Sequence, residues 1–137
     1  YLDFKTTSVV NGQIVEGNLN GKRVENAPEK INRYGITYSK KGLSVSWQIS
    51  DIGSAFADAS NTMKPNAAAT TGFIPAYQVQ DISGSYKFKK YAQLKFGVNN
   101  VADARYFTRR SGGYPGPGIL PADGRTWYLG LNLKFAN

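Results

Sequence analysis

The chain has 137 residues, the length of one ordinary domain, and it contains neither cysteine nor histidine. These absences exclude disulfides, thiolate metal sites and cysteine nucleophiles and remove the commonest general base, so the composition argues against an enzyme. The formal net charge is +8, but the 17 basic residues are spread over turns and one long loop, which favours solvated charge over the binding of nucleic acid.

Alternation of apolar and polar residues predicts six β-strands, because successive side chains of a strand point to opposite faces. In chain order, these strands cover residues 2–10, 32–39, 43–50, 77–88, 91–101 and 125–135. Two tight turns are predicted at Lys40-Lys41-Gly42 and at Lys89-Lys90. The other three connections are long and rich in polar or small residues, and they cover residues 11–30, 57–74 and 102–124.

The last predicted strand, RTWYLGLNLKF, has the most regular pattern of the chain. One face carries Trp127, Leu129, Leu131, Leu133 and Phe135. The opposite face carries Thr126, Tyr128, Gly130, Asn132 and Lys134. Its length of about ten residues is what a tilted β-strand needs to cross the apolar layer of a bilayer. The pattern therefore predicts lipid on one side and a polar lumen on the other.

The connections alternate between long and short, as in an antiparallel up-and-down meander of an outer-membrane barrel. In such barrels the short turns face the periplasm and the long loops face outwards. Aromatic residues near the predicted periplasmic end fit an interfacial girdle; they are Tyr38, Phe88, Tyr91 and Phe135. A soluble antiparallel sheet with one wet face produces the same alternation, but several strands here exceed the usual length of about 5–6 residues.

Six strands do not close a membrane barrel, which needs at least about eight. An open sheet in lipid leaves backbone donors unpaired at both edges. We therefore expect either that much of the barrel lies N-terminal to Tyr1, which is the favoured interpretation, or that the chain pairs with another polypeptide. The missing initiator Met and signal peptide also favour a processed or truncated piece.

Residues 26–137 resemble the C-terminal end of TonB-dependent outer-membrane receptors. The resemblance is carried by NAPEKINRYGITYSKKGLSVSW (26–47), GFIPAY (72–77), LKFGVNNVADARYF (94–107) and DGRTWYLGLNLKF (123–135). The block N-N-V-A-D-x-x-Y is similar to the recurrent Asn-Leu-Phe-Asp-x-x-Tyr signature, with Val101 and Ala102 in the Leu-Phe places. Within the family, residues 107–125 are most similar to receptors of the ferric-citrate type.

The resemblance implies a plug inside a barrel of about 22 strands in the outer membrane of a Gram-negative bacterium. Residues 1–137 would be the C-terminal segment of the barrel domain, with the plug, the remaining strands and the segment that contacts TonB absent. The implied function is import of a ferric chelate, a siderophore or ferric citrate, with TonB-supplied energy, without a cofactor or catalysis. Ala136 and Asn137 depart from the family pattern, in which Phe135 would be the last residue.

The loop RRSGGYPGPGILPADGR supplies the candidate ligand-binding residues Arg109, Arg110 and Tyr114. Arginine holds carboxylate or phosphate bidentately, and Tyr114 adds a phenol and an aromatic face, which suits a small anionic ligand such as a ferric chelate. The alternative is a solvated outer loop whose arginines contact lipopolysaccharide phosphates or nothing. Arg125, at the start of a strand, is predicted to be structural.

Other residues favour structural roles. Asp58, Asp103 and Asp123 match no metal loop and are expected to cap backbone amides, so no metal site is predicted. Asp81 should face the lumen and pair with a lysine or arginine. Three aromatic residues on apolar faces are interpreted as lipid-facing or girdle residues rather than ligand-stacking ones: Trp47, Tyr86 and Trp127.

The sequence is also compatible with two other functions. A soluble β-sheet ligand-binding module would bury the apolar face of the last strand in a protein core. A non-transporting outer-membrane barrel, such as a lipid-modifying enzyme or a protease, would need catalytic residues from outside this chain, because the chain contains no histidine.

Overall fold

A computed structural model describes residues 1, 5–89, 91–114 and 116–135. Within these ranges there is no helix long and apolar enough to cross a membrane. The strands are β1 Lys5–Val10, β2 Gln13–Asn18, β3 Ile31–Lys40, β4 Leu43–Ile52, β5 Ala55–Phe56, β6 Phe73–Ile74, β7 Tyr77–Phe88, β8 Ala92–Asn99, β9 Phe107–Ser111, β10 Gly118–Pro121 and β11 Thr126–Leu133.

The chain divides into two compact units. The sheet unit consists of Lys30–Ile52, Tyr77–Tyr106 and Ala122–Asn137. The hairpin unit consists of Tyr1–Glu29, Gly53–Ala76 and Phe107–Pro121.

The sheet unit is one five-stranded antiparallel sheet in the order β11-β8-β7-β4-β3. Strands that follow one another in this unit are neighbours in the sheet, which confirms the predicted all-β, antiparallel up-and-down arrangement of a barrel portion. Ile31, Ile52 and Tyr77 pair in one row, and Asn99 pairs with Thr126 at the same end. The long connections therefore join strands at one end of the sheet, and the tight turns lie at the other.

The register separates an apolar face from a polar face. One row crosses all five strands through Ile36, Trp47, Ile82, Val98 and Trp127. The rows two residues away on the same face are also largely apolar. On this face Trp127 is 74% exposed among the described residues. This exposure contradicts a soluble module that buries the last strand in its own core.

The polar face is lined by small hydroxyl side chains. One row contains Thr37, Ser46, Ser83, Gly97 and Tyr128. The hydroxyls of Thr37 and Ser46 lie 2.8 Å apart and form a hydrogen bond. A face of this kind suits contact with water or polar protein surface, as predicted for a lumen.

The first tight turn is confirmed at Lys41 and Gly42. Lys40 pairs with Leu43, so the loop has two residues, and both have positive φ, 47° and 86°. Such turns match the twist of the flanking strands. In the second turn Lys89 has a φ of 52°, and Lys90 lies outside the described residues.

The prediction that the first strand belongs to the main sheet is wrong. Residues 5–10 form β1, which pairs with β2 through the turn at Asn11 and Gly12, where both φ angles are positive. Asn-Gly is a strong hairpin signal, and it lies in a segment that the alternation pattern assigned to a long loop. The predicted residues 2–4 lie outside the described part of the chain.

The alternation pattern also missed four short strands that lie within or next to the two other long connections. β5 pairs with β6 over two residues, and β9 pairs with β10. The hairpin unit buries Leu19, Ala55 and Ile74 as its small core. Phe56 and Phe73 pack edge to face beside this core, with ring centroids 5.6 Å apart.

Candidate functional site

The hairpin of β9 and β10 carries all three predicted ligand-binding residues. Arg109 pairs with Leu120, and Arg110 pairs with Ile119. Because the two arginines are neighbours in a strand, their side chains leave from opposite faces. They therefore do not form a single two-arginine clamp.

Arg110 is held by the protein. Its Nη1 donates to the carbonyl of Ala69 and its Nη2 to the carbonyl of Phe73, both at 3.1 Å. Its guanidinium carbon lies 4.9 Å from the ring centroid of Phe107, a cation–π contact. The Nε is buried and has no hydrogen-bond partner among the described residues. The guanidinium thus ties β9 to the segment between residues 69 and 73.

A β-bulge in β9 brings the side chains of Arg110 and Phe107 to the same side of the hairpin. The register shifts between Leu120 and Pro121, so that Pro121 pairs with Phe107 and leaves Thr108 without a partner of its own. An extra residue of this kind reverses the alternation locally. Phe107 and Arg110 can then approach each other although they are three residues apart.

Arg109 and Tyr114 project from the hairpin. Arg109 is exposed, and no ion pair or side-chain hydrogen bond is found for it within the described ranges. Tyr114 is 99% exposed. The turn before it is fixed by the amide of Gly113, which donates to Ser111 Oγ at 3.2 Å. These two side chains are available to a ligand.

Arg23 is a supporting residue that sequence reasoning missed. Its Nη2 donates to the carbonyl of Ser54, and its guanidinium carbon lies 5.3 Å from the ring centroid of Phe56. Its Nη1 lies 3.7 Å from a carboxylate oxygen of Glu29. The side chain of Asn61 binds the backbone of Arg23. Its Oδ1 accepts from the Arg23 amide at 2.6 Å, and its Nδ2 donates to the Arg23 carbonyl at 2.9 Å. No local pattern marks this arginine in the sequence.

Asp58 caps backbone amides, as predicted. One carboxylate oxygen accepts from the amide of Gly72 at 3.2 Å, and the other accepts from the amide and hydroxyl of Thr62 at 3.2 and 2.8 Å. The described residues hold no group of three or more acidic side chains placed to bind a metal ion. The carboxylate therefore closes the loop between β5 and β6.

Asn100 is the buried centre of the N-N-V-A-D-x-x-Y turn in the sheet unit. It is only 3% exposed and has a φ of 51°. Its Oδ1 accepts from the amide of Ala104 at 2.8 Å, and its Nδ2 donates to the carbonyls of Ala104 and Asp123 at 3.0 and 3.3 Å. One side chain thus joins both ends of the connection between β8 and β11.

Asp103 is the second cap of this turn. Its Oδ1 accepts from the amide of Arg125 at 2.9 Å, and its Oδ2 lies 3.1 Å from Nη2 of Arg105. The Arg125 amide, together with the charges of Arg105 and Arg125, lowers the pKa of Asp103 against a smaller opposing effect of desolvation. Asp123 contributes its carbonyl to Asn100 rather than its carboxylate to a cap.

Asp81 lies on the polar face, opposite Gln48, as predicted. The prediction of a lysine or arginine partner is wrong: its Oδ1 accepts from the amide of Asn100 at 2.8 Å, and it joins no ion pair in the described residues. A backbone amide satisfies the carboxylate at the end of the strand without a cation. Trp47, Tyr86 and Trp127 lie exposed on the apolar face, consistent with lipid-facing roles.

Comparison with known proteins places these features in a family. Residues 1–101 match the model of the TonB dependent receptor-like β-barrel family. The chain belongs to this family. Members are transport receptors of the outer membrane of Gram-negative bacteria, which confirms the predicted family, fold and location and excludes the soluble module.

The relatives are much longer than this chain. The probable TonB-dependent siderophore receptor PiuA of Acinetobacter baumannii is 27% identical over 141 residues, which cover 98% of this chain and 17% of PiuA. The ferric citrate transporter FecA, solved in its unliganded form, shares 32% identity and a TM-score of 0.72 over 79% of this chain and 17% of its own. The crystal structure of PiuA is 25% identical, with a TM-score of 0.73, and the match covers 94% of this chain and 17% of the PiuA chain.

Proposed function

We propose that the full protein containing this chain takes up a ferric chelate across the outer membrane with TonB-supplied energy. Two matched proteins support the ligand class, since one is a ferric citrate transporter and the other a probable siderophore receptor. Because this chain spans 17% of each, the ligand and the energy source are proposals for the whole receptor. Ferric citrate is the leading candidate.

The proposal depends mainly on the different environments of two neighbouring arginines, Arg109 and Arg110. Arg110 is bound to two carbonyls, whereas Arg109 and Tyr114 are exposed on the same hairpin. A fixed hairpin that presents a guanidinium and a phenol can hold a carboxylate-rich anion. In this proposal Arg109 and Tyr114 contact the chelate, and Arg110 positions the hairpin.

Binding of ferric citrate to the purified full-length receptor tests this proposal. A charge-assisted hydrogen bond contributes about 1.5–3 kcal/mol, so Arg109→Gln should weaken binding roughly 10- to 100-fold. Lys64→Gln removes one exposed charge from the same unit and should leave the affinity unchanged. Unchanged binding in both Arg109→Gln and Tyr114→Ala would remove the hairpin from the ligand site.

Uptake separates transport from mere binding. Iron-starved cells that express the receptor should accumulate radioactive iron from ferric citrate, and loss of TonB should stop uptake while binding persists. A non-transporting outer-membrane barrel predicts binding without TonB-dependent uptake. Lower co-purification of lipopolysaccharide with Arg109→Gln, at unchanged ferric citrate affinity, would instead assign Arg109 to lipid.

A further inference from the structure

Positive charge is concentrated at the short-turn end of the sheet unit. Residues 40–50, 82–101 and 126–137 contain seven lysines and no arginine, aspartate or glutamate. All nine acidic residues and the other ten basic residues lie in the remaining segments. These three segments together therefore carry +7 of the net charge of +8.

Four exposed lysines lie along the edge of the sheet at this end. Lys40 is the last residue of β3 and Lys41 is in the turn that follows it. Lys89 is in the turn between β7 and β8, and Lys134 follows β11. We call these four the rim lysines. Because neighbouring strands are about 4.8 Å apart, they extend over roughly 19 Å across the full sheet.

Among the residues that the structure describes, the rim lysines have no acidic partner. The ion pairs found in the described residues are Lys5–Glu16, Arg23–Glu29, Lys30–Asp51 and Arg105–Asp103. The two pairs within the sheet unit, Lys30–Asp51 and Arg105–Asp103, lie at its long-loop end. The ammonium groups of the rim lysines are therefore open to an external anion.

Turn geometry does not account for lysine at these positions. Lys41 and Lys89 have φ angles of 47° and 52°, where glycine or asparagine is favoured and other L-residues are strained. The positive charge itself is then the distinguishing property of the side chain.

Aromatic residues next to the rim mark the membrane interface. Tyr38, Tyr86 and Phe88 are exposed on the apolar face near the same end. Aromatic belts lie at the headgroup level of a bilayer. Lys40 pairs with Leu43, so it shares the apolar face and ends it at the rim.

We infer that the rim lysines bind the headgroups of anionic phospholipids in the periplasmic leaflet, where the short turns of such barrels lie. The inference rests on the outer-membrane location and not on the proposed ferric ligand. An extended row of cations fits a charged surface, because a single compact ligand would not reach all four rim lysines across the width of the sheet. The rim lysines lie next to the aromatic residues, and therefore at the level of the anionic phosphates of the headgroups.

An acidic polypeptide on the polar face is the competing partner. Lys87 and Lys95 belong to that face, opposite Gln93 and Ser85. A cavity of about 320 Å³ there is lined by Lys87, Lys89, Lys134 and Asn132, among others. The spread of charge to Lys40 and Lys41, at the far side of the sheet and on the apolar edge, favours lipid.

The test uses the full-length receptor in vesicles of phosphatidylcholine with one quarter phosphatidylglycerol. Spin-labelled forms of the two lipids report their relative association with the protein by electron spin resonance. We expect a preference for phosphatidylglycerol that Lys40→Gln with Lys41→Gln lowers by roughly twofold at low salt. Lys87→Gln with Lys95→Gln, the matched pair on the polar face, should leave the preference unchanged.

The unaltered receptor provides a measurement that does not depend on any variant. The Debye length falls from about 10 Å at 0.1 M salt to about 3 Å at 1 M salt. High salt should therefore screen the lysine charges and abolish the preference for phosphatidylglycerol. Equal association of the two lipids at low salt would overturn the inference. The inference would also be overturned if Lys87→Gln with Lys95→Gln lowered the preference for phosphatidylglycerol as much as Lys40→Gln with Lys41→Gln. That result would favour an acidic polypeptide as the partner of these lysines.

Discussion

The ring of Tyr128 lies over Gly97 on the neighbouring strand, so closely that a Cβ on Gly97 would be 2.4 Å from Tyr128 Cζ. On the opposite face, the ring of Phe96 covers Gly84 in the same way, also at 2.4 Å. A ring that covers a cross-strand glycine shields its backbone and pins the register. β8 therefore contributes to one such pair on each face of the sheet.

Gly97→Ala should destabilise the barrel by about 1–3 kcal/mol, because the new methyl group forces the Tyr128 ring aside. Gly130→Ala is the matched control, since a Cβ at Gly130 meets nothing within 4 Å. Heat-dependent gel mobility of the folded full-length receptor measures the difference. Tyr128→Ala in the same chain should reduce the cost of Gly97→Ala, and strictly additive losses would show that the ring contact is unimportant.

Replacing Asn100 should destabilise the turn through two separable effects. Asn100→Gly removes the side-chain hydrogen bonds but tolerates the φ of 51°. Asn100→Ala also strains the backbone, by roughly 1–2 kcal/mol more. The rate of proteolysis within residues 100–106 should rise in the order native, Asn100→Gly, Asn100→Ala. Equal rates for the two variants would mean that backbone strain does not contribute.

The cap at Asp103 should depend on pH. Its pKa is lower in the folded chain than the ordinary value of 3.8, so its stabilising effect is present above that value and is lost as pH falls through the folded pKa. Hydrogen exchange of the Arg125 amide should therefore be slower in the native receptor than in Asp103→Asn at pH 5, and the two should converge in stronger acid. Asp123→Asn provides a control, and a pH-independent difference would contradict the prediction.

Arg110 should be sensitive to replacement by lysine, because one ammonium cannot span the carbonyls of Ala69 and Phe73 as a guanidinium fork does. Arg110→Lys should expose the β9–β10 hairpin to limited proteolysis and weaken ferric citrate binding together. Arg109→Lys should leave the proteolysis rate unchanged. Weaker binding in Arg110→Lys with no change in proteolysis would instead indicate a direct ligand contact.

The local pattern predicted the faces of the sheet correctly because strand periodicity is set by backbone geometry. Trp127, Leu129 and Leu131 fall on one face in any extended strand, whatever its partner. The tight turn at Lys41 and Gly42 is likewise a property of a few adjacent residues. The turn at Asn11 and Gly12 is also a property of adjacent residues, so the Asn-Gly pair alone was enough to predict it.

The strand periodicity, the two tight turns and the family resemblance follow from short stretches of sequence. The binding partners of the long side chains depend instead on the tertiary fold. Arg109 and Arg110 are chemically identical neighbours, and carbonyls 37 and 41 residues away hold one of them and not the other. Asn100 and Arg23 likewise bind backbone groups from distant segments. Such contacts depend on how separate parts of the chain meet in space, which no local spacing of residues records.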